Sequence, residues 1–109
     1  MDKTKRILRQ FAEEAKNIFG KTLVQVILYG SYARGDFSES SDIDIMILTT
    51  LNDNEIRAIE GKIFDAAYEL EFSEGVQISV NIKNEGHFNY WLGALPYYDN
   101  IKKEGVIIA

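Results

Sequence analysis

Apolar residues recur every three or four positions from residue 4 to residue 19. Ile7, Leu8, Phe11, Ala15, Ile18 and Phe19 fall on one side, with Lys, Arg and Glu between them. This spacing predicts an amphipathic helix that ends at Gly20. The period then vanishes. Residues 22–29 (Thr-Leu-Val-Gln-Val-Ile-Leu-Tyr) are apolar almost throughout, rich in β-branched types and bounded by glycines, the pattern of a strand buried on both faces.

From Ser41 the chain alternates. Asp42, Asp44 and Met46 lie on one face and Ile43, Ile45 and Ile47 on the other, which predicts a second strand with a polar, functional face. Between the strands, residues 31–36 have room for one helical turn, with Gly30 allowing an unusual backbone and Ser31 in an N-cap position. Asn52 and Glu55 have the spacing of a capping box, and Ile56, Ile59, Ile63, Phe64, Ala67 and Leu70 continue it as a helical stripe. After Gly75, the residues Val76, Ile78, Val80 and Ile82 share one face of a third strand, whose other face carries Gln77, Ser79 and Asn81. Beyond Asn84 come a short helix over about 85–93 and a second helical segment after Pro96. The aromatics Phe88, Tyr90, Trp91, Tyr97 and Tyr98 of this tail are expected to cover the sheet and pack on the first helix, some of them remaining available to a partner. The elements predict an α+β fold: a small mixed sheet of three or more strands with helices packed on it.

At 109 residues, two domains would each sit near the lower limit for burying a core, so one is expected. The chain has no cysteine, which removes disulfides, thiolate metal sites and a cysteine nucleophile, and fits a reducing cytoplasm. No apolar run approaches the roughly 20 residues that cross a bilayer, and the N-terminus lacks the pattern of a signal peptide. Twelve basic against seventeen acidic residues give a net charge of -5, the wrong sign for attraction to a nucleic-acid backbone. A nucleotide remains compatible, because a bound cation reverses the sign of a small acidic site.

The chemistry concentrates in Gly30-Ser31-Tyr32-Ala33-Arg34-Gly35-Asp36, followed by Asp42-Ile43-Asp44. Amides at the start of a helical turn and the Ser31 hydroxyl are donors for a terminal phosphate, and glycine at 30 lets it approach the main chain. Gly30 to Gly35 has the G-x-x-x-x-G spacing of a P-loop, but Asp36 and Phe37 stand where Lys and Ser/Thr are required, so a P-loop is excluded. Asp42 and Asp44 lie two apart on a strand, on one face and roughly 7 Å apart. Two carboxylates so placed repel unless a cation lies between them. Hard oxygen ligands of this kind select Mg²⁺ or Mn²⁺, whose remaining ligands are water and phosphate. The implied chemistry is in-line attack by a hydroxyl on a nucleotide phosphorus. Arg34 is either a phosphate ligand or a loop brace paired with Asp36. His87, the only histidine, has no companion with which to share a metal and is read as structural.

The string from Gly30 to Gly35 with Ser41-Asp42-Ile43-Asp44 resembles the signature of the DNA polymerase β-like nucleotidyltransferase superfamily. Length and layout are similar to its minimal nucleotidyltransferase (MNT) branch, with residues 1–109 as a single domain of the nucleotidyltransferase fold. The resemblance implies triphosphate binding by Gly30 and Ser31, a loop-bracing or phosphate role for Arg34, and two Mg²⁺ ions on Asp42 and Asp44. It further implies ATP as donor, AMP transfer to a hydroxyl, and an antitoxin role beside a helical HEPN-domain toxin, with homo-oligomerisation left open. The superfamily places a third carboxylate on the strand after the long helix, where this chain has Gln77, Ser79 and Asn81 and only Glu69, Glu71 and Glu74 nearby. Two alternatives therefore stand beside an active enzyme. One is a nucleotide- or partner-binding pseudoenzyme. The other is a transferase acting on a small polyol or aminoglycoside, for which a helical substrate domain is missing.

Overall fold

The computed structural model describes residues 2–109. Helix α1 (Lys3–Phe19) begins where the Asp2 carboxylate accepts the Lys5 amide at 2.9 Å, and it ends at Gly20 with φ 56°. A 3-10 turn leads into β1 (Leu23–Tyr29), and one helical turn, α2 (Ser31–Arg34), follows. Strand β2 (Ile43–Thr49) is joined by α3 (Asp53–Glu74) to β3 (Ile78–Asn84), and the chain closes with α4 (Glu85–Trp91), α5 (Pro96–Glu104) and β4 (Val106–Ile107). The expected capping box of α3 is formed: Asn52 Oδ1 accepts the Glu55 amide at 2.9 Å, and the Glu55 carboxylate accepts the Asn52 amide at 3.0 Å.

The sheet runs β3-β2-β1-β4. β1 is antiparallel to β2 and to β4, while the long α3 crossover returns the chain parallel to β2. β2 is central and its period of two feeds both faces. Ile43, Ile45 and Ile47 join Ile7, Phe11 and Phe19 of α1 and Ile63 and Ala67 of α3. Met46 and Leu48 pack with Ile27 of β1 under Phe88, Tyr98 and Ile101 of α4 and α5. Side chains of this size contribute roughly 2 kcal/mol each when buried. No helix among the described residues is long and apolar enough to cross a membrane.

Several expectations need correction. The second strand is polar only where it begins, since Met46 and Leu48 on the Asp44 side are buried beneath the C-terminal helices. The tail aromatics Phe88 and Tyr98 do cover the sheet, but on the face opposite α1. Phe64, taken as part of the core stripe of the long helix, is exposed. Residue 30, not 31, is the N-cap of the short turn, and Ser31 is its first helical residue. β4 was not foreseen; two residues carry little pattern, yet they pair Ile27 with Ile107 and Leu28 with Val106 and cover what would be an open edge of β1.

The α5–β4 corner is tight. A Cβ added at Gly105 would overlap the Ile101 carbonyl oxygen and stand 2.5 Å from Ile27 Cγ2. Neither neighbour is free to move, because one is helix backbone and the other is core. Gly105→Ala is expected to cost about 2 kcal/mol, a fall of roughly 10 °C in Tm. An unchanged melting curve would show that the corner opens freely.

Candidate active site

Antiparallel pairing sets Tyr29, the last residue of β1, opposite Asp44 near the start of β2. The chain must then turn away at once, and Gly30 does so with φ 75° and ψ -156°, a region that side-chain-bearing residues avoid. Its carbonyl accepts the amides of Ala33 and Arg34, both at 3.1 Å, which closes the single turn of α2. Gly35, with φ 86°, ends that turn. Four residues carry little macrodipole, so the donors this turn could offer an anion are the Ser31 hydroxyl and individual amides.

Gly30 lies directly on the Asp44 carboxylate. A Cβ at residue 30 would overlap Asp44 Oδ2 and stand 3.2 Å from Asp44 Cγ. Burial pushes the Asp44 carboxyl above its ordinary range, the charge of Asp42 adds to that, and Arg34 pulls the other way. A half-buried acid held above its usual range beside a second acid is a site that gains from a cation. The chemistry of the donors fits a divalent ion, since the Asp44 carboxylate is a hard oxygen ligand set against a glycine without a side chain.

Gly30, Ser31, Arg34 and Asp44 line one cleft of about 390 Å³ together with Tyr29, Tyr97, Asn100, Ile101 and Glu104. Asp42 does not line it. It is exposed, just before β2, at the end of a turn closed by Ser41 Oγ accepting the Ser38 amide at 2.9 Å. A larger cleft of about 590 Å³ lies between the start of α1 and β4. Its walls are mainly apolar, whereas the smaller cleft is lined by Asp44, Glu104, Arg34 and Ser31.

Arg34 is paired on both sides, with Asp36 Oδ2 and with Glu104 Oε2, each at 3.2 Å. These bonds raise its own pKa further, Asp36 contributing most. Glu104 comes from α5, seventy residues away, and no sequence spacing announced it.

Where the resemblance implies a third carboxylate, β3 carries a neutral network. Asp44 registers against Ser79 and Met46 against Asn81. Asn81 Nδ2 donates to the Tyr29 hydroxyl at 2.9 Å and to the Tyr97 hydroxyl at 3.2 Å, and the two hydroxyls share a hydrogen bond of 2.8 Å. Burial, then the bond to Tyr29, push the Tyr97 hydroxyl well above the ordinary tyrosine range, so it stays protonated. Gln77 lies just outside β3 and uses its carbonyl to accept the Ile43 amide at 2.8 Å. The nearby glutamates are engaged elsewhere: Glu74 pairs with Arg6 at 2.6 Å, Glu71 accepts the Ile78 amide at 2.8 Å, and Glu69 faces a groove between α1 and α3. Among the described residues, no group of three or more His, Cys, Asp or Glu side chains is placed to hold a metal.

Residues 8–108 match the nucleotidyltransferase domain family. The chain belongs to that family. Among curated relatives, it is 28% identical over 103 residues to the Methanocaldococcus jannaschii protein named "Putative protein adenylyltransferase MJ0604", covering 94% of this chain and 95% of that one. It is 36% identical over 74 residues to a second protein of that organism carrying the same adenylyltransferase name, MJ1305, covering 67% of this chain and 50% of that one. Solved structures share the fold. A toxin-antitoxin crystal structure with AMP-PNP superposes with a TM-score of 0.59 at 18% identity over 94% of this chain and 72% of that one. A minimal nucleotidyltransferase structure does so with 0.55 at 23% identity over 97% and 95%. In this member of the family the glycine-serine turn and Asp44 of β2 thus meet in one cleft, which Tyr29 and Tyr97 also line.

Proposed function

We propose that residues 1–109 act as one minimal nucleotidyltransferase domain, an Mg²⁺-dependent protein adenylyltransferase working in the cytoplasm as the antitoxin of a HEPN/MNT pair. The observation that carries the reading is the contact of the Gly30 backbone with the Asp44 carboxylate in a cleft that also holds Ser31 and Arg34. Relatives named as protein adenylyltransferases and neighbours from a toxin-antitoxin complex support it.

Asp44 would hold the divalent cation inside the cleft and Asp42, exposed just before β2, would join it from outside; the ion when bound neutralises charge on the phosphates. Ser31 and the amides beside it bind the triphosphate, and Arg34 exchanges Glu104 for a phosphate oxygen. A hydroxyl oxygen of the acceptor protein bonds to the α-phosphorus. The bond from that phosphorus to its bridging oxygen breaks and pyrophosphate leaves. The hydroxyl proton passes to solvent, because Ser79 and Asn81 supply no base.

Incubation with α-³²P-labelled ATP, Mg²⁺ and the protein encoded beside this chain tests the proposal. Transfer of label to that protein is expected. Neutralisation of the neighbour without any label would favour the second reading, a pseudoenzyme acting by contact, which the neutral Asn81 network recommends. ATP is also expected to stabilise the chain only when Mg²⁺ is present, since phosphates and the two carboxylates otherwise repel. At a hundredfold excess over Kd the gain is about 2.7 kcal/mol. An equal shift in EDTA would contradict cation bridging.

A further inference from the structure

Two aromatic rings, Tyr29 and Tyr97, line the Gly30–Asp44 cleft. They meet edge to face, with ring planes at 87° and centroids 6.0 Å apart. Tyr97 is the one left in water: it is 45% exposed, although its hydroxyl is tied to the Tyr29 hydroxyl at 2.8 Å and to Asn81 Nδ2 at 3.2 Å. The helix that carries it explains the exposure. Pro96 opens α5 at its first position, and Tyr98 and Ile101 enter the core beneath it, so Tyr97 is left on the flank beside the cleft. The other neighbouring ring, Tyr98, is tilted at 51°. Neither neighbour therefore lies flat on Tyr97. Tyr32 and Phe37 differ in this respect, since they are stacked on each other at 4.2 Å and 8°.

Position along α5 orders the cleft. Glu104 lies seven residues after Tyr97, about 10 Å along the helix axis, and holds Arg34 at 3.2 Å. Arg34 thus stands at the Glu104 end. Asp44 pairs in register with Tyr29, whose hydroxyl meets that of Tyr97 at the other end. The distance between the two ends is close to the reach of an extended nucleotide from its phosphates to its base. We propose that Tyr97 is the platform on which the base of the donor nucleotide stacks, with the phosphates running from there along α5 toward Arg34. The inference rests on the nucleotide reading above and adds the residue that takes the nucleoside half. The two bonds to its hydroxyl hold the ring in place before the ligand arrives, which lowers the ordering cost of binding. A stack reads the face of a base and not its edge, so the larger purines should outrank pyrimidines. The apolar cleft between α1 and β4 is the rival seat for a base, but it shares no lining residue with the cleft of Ser31, Arg34 and Asp44.

Calorimetry on the full chain with Mg²⁺ compares ATP, UTP and ribose triphosphate, which keeps the sugar and phosphates and lacks the base. The wild type is expected to bind ATP at least about fivefold tighter than ribose triphosphate, with UTP between them. Tyr97→Leu should erase the difference by weakening ATP alone, and its unchanged binding of ribose triphosphate shows that the cleft is still folded. Tyr97→Phe keeps the ring, gives up both hydrogen bonds and should retain most of the difference. If Tyr97→Leu does not fold, a fluorescent aminopurine triphosphate decides, because its emission is quenched when the base is stacked. Quenching by the wild type and by Tyr97→Phe is expected, and its absence in both overturns the proposal. Equal affinity of the wild type for ATP and ribose triphosphate also overturns it. So does an equal loss of both ligands in a folded Tyr97→Leu, which would make the ring a wall of the cleft, or a Tyr97→Phe as weak as Tyr97→Leu, which would assign the effect to the hydroxyl. In each of these the wild type still binds ribose triphosphate, and the nucleotide reading stands. A wild type that binds none of the three ligands is the separate failure, which removes that reading and this proposal together.

Discussion

Asp44→Asn is expected to abolish AMP transfer and, in metal-free buffer, to melt at a higher temperature than the wild type. The two effects share one cause. In the folded chain, burial and then the neighbouring charge of Asp42 oppose ionisation of Asp44, and Arg34 offsets only part of this. Its folded pKa therefore lies above the unfolded value of 3.8. Between those two values the folded state holds the extra proton, so stability falls as pH rises through that window, and the deficit persists in full at neutral pH. Asparagine has nearly the same shape without the charge and removes the deficit. The catalytic loss should be on the order of a thousandfold, as for removal of one group that stabilises transition-state charge. Mg²⁺ with ATP should reverse the ranking, stabilising the wild type and leaving Asp44→Asn nearly unmoved. Melting curves from pH 4 to pH 8 in EDTA check the sign. If Asp44→Asn melts below the wild type at neutral pH there, Asp44 is not a charge stored at the expense of the fold.

How far the sequence revealed the molecule depended on the range of each interaction. The capping box of Asn52 and Glu55, the helix stop at Gly20 and the apolar face of Ile43, Ile45 and Ile47 are set by neighbours a few residues apart, and all appear where the pattern put them. Gly30, Ser31, Arg34 and Asp44 were legible for the same reason, since a single turn and one strand pair bring them to one cleft. Asp42 was equally visible, but its place outside that cleft depends on where β2 starts. Tyr29, Tyr97 and Glu104 were missed as members of the site. Tyr29 looks like any last residue of a buried strand, and Tyr97 and Glu104 reach the cleft only because α5 folds back over the sheet. The helical period misled at Phe64, whose spacing fits the core stripe of α3 although its ring points to water. The absence of a third carboxylate was plain in Gln77, Ser79 and Asn81. That Asn81 instead ties two tyrosines together required a contact across 52 residues.

Gly30→Ala and Gly35→Ala look alike in the sequence and should behave quite differently. Both glycines have positive φ, 75° and 86°, but Gly30, with ψ -156°, lies in a region open essentially to glycine alone, whereas Gly35, with ψ 7°, is left-handed helical, where alanine costs roughly 1–2 kcal/mol. At Gly35 that is the whole effect, because a Cβ would meet nothing within 4 Å. At Gly30 the Cβ would in addition overlap Asp44 Oδ2 and crowd its Cγ, so the carboxylate cannot keep its present position. Something must give: either Asp44 rotates out of the cleft or the Gly30–Ser31 turn lifts from β2. Both separate the groups assigned here to cation and phosphate. Gly30→Ala is therefore expected to lose AMP transfer on the order of a hundredfold or more, as a misplacement of about 1 Å can, and to lose the Mg²⁺-dependent thermal shift with ATP. Gly35→Ala should melt several degrees lower yet keep that shift and most of its transfer rate. Equal losses in the two variants would mean that the loop needs both glycines only for its backbone shape, and that the contact between residue 30 and Asp44 does not build the site.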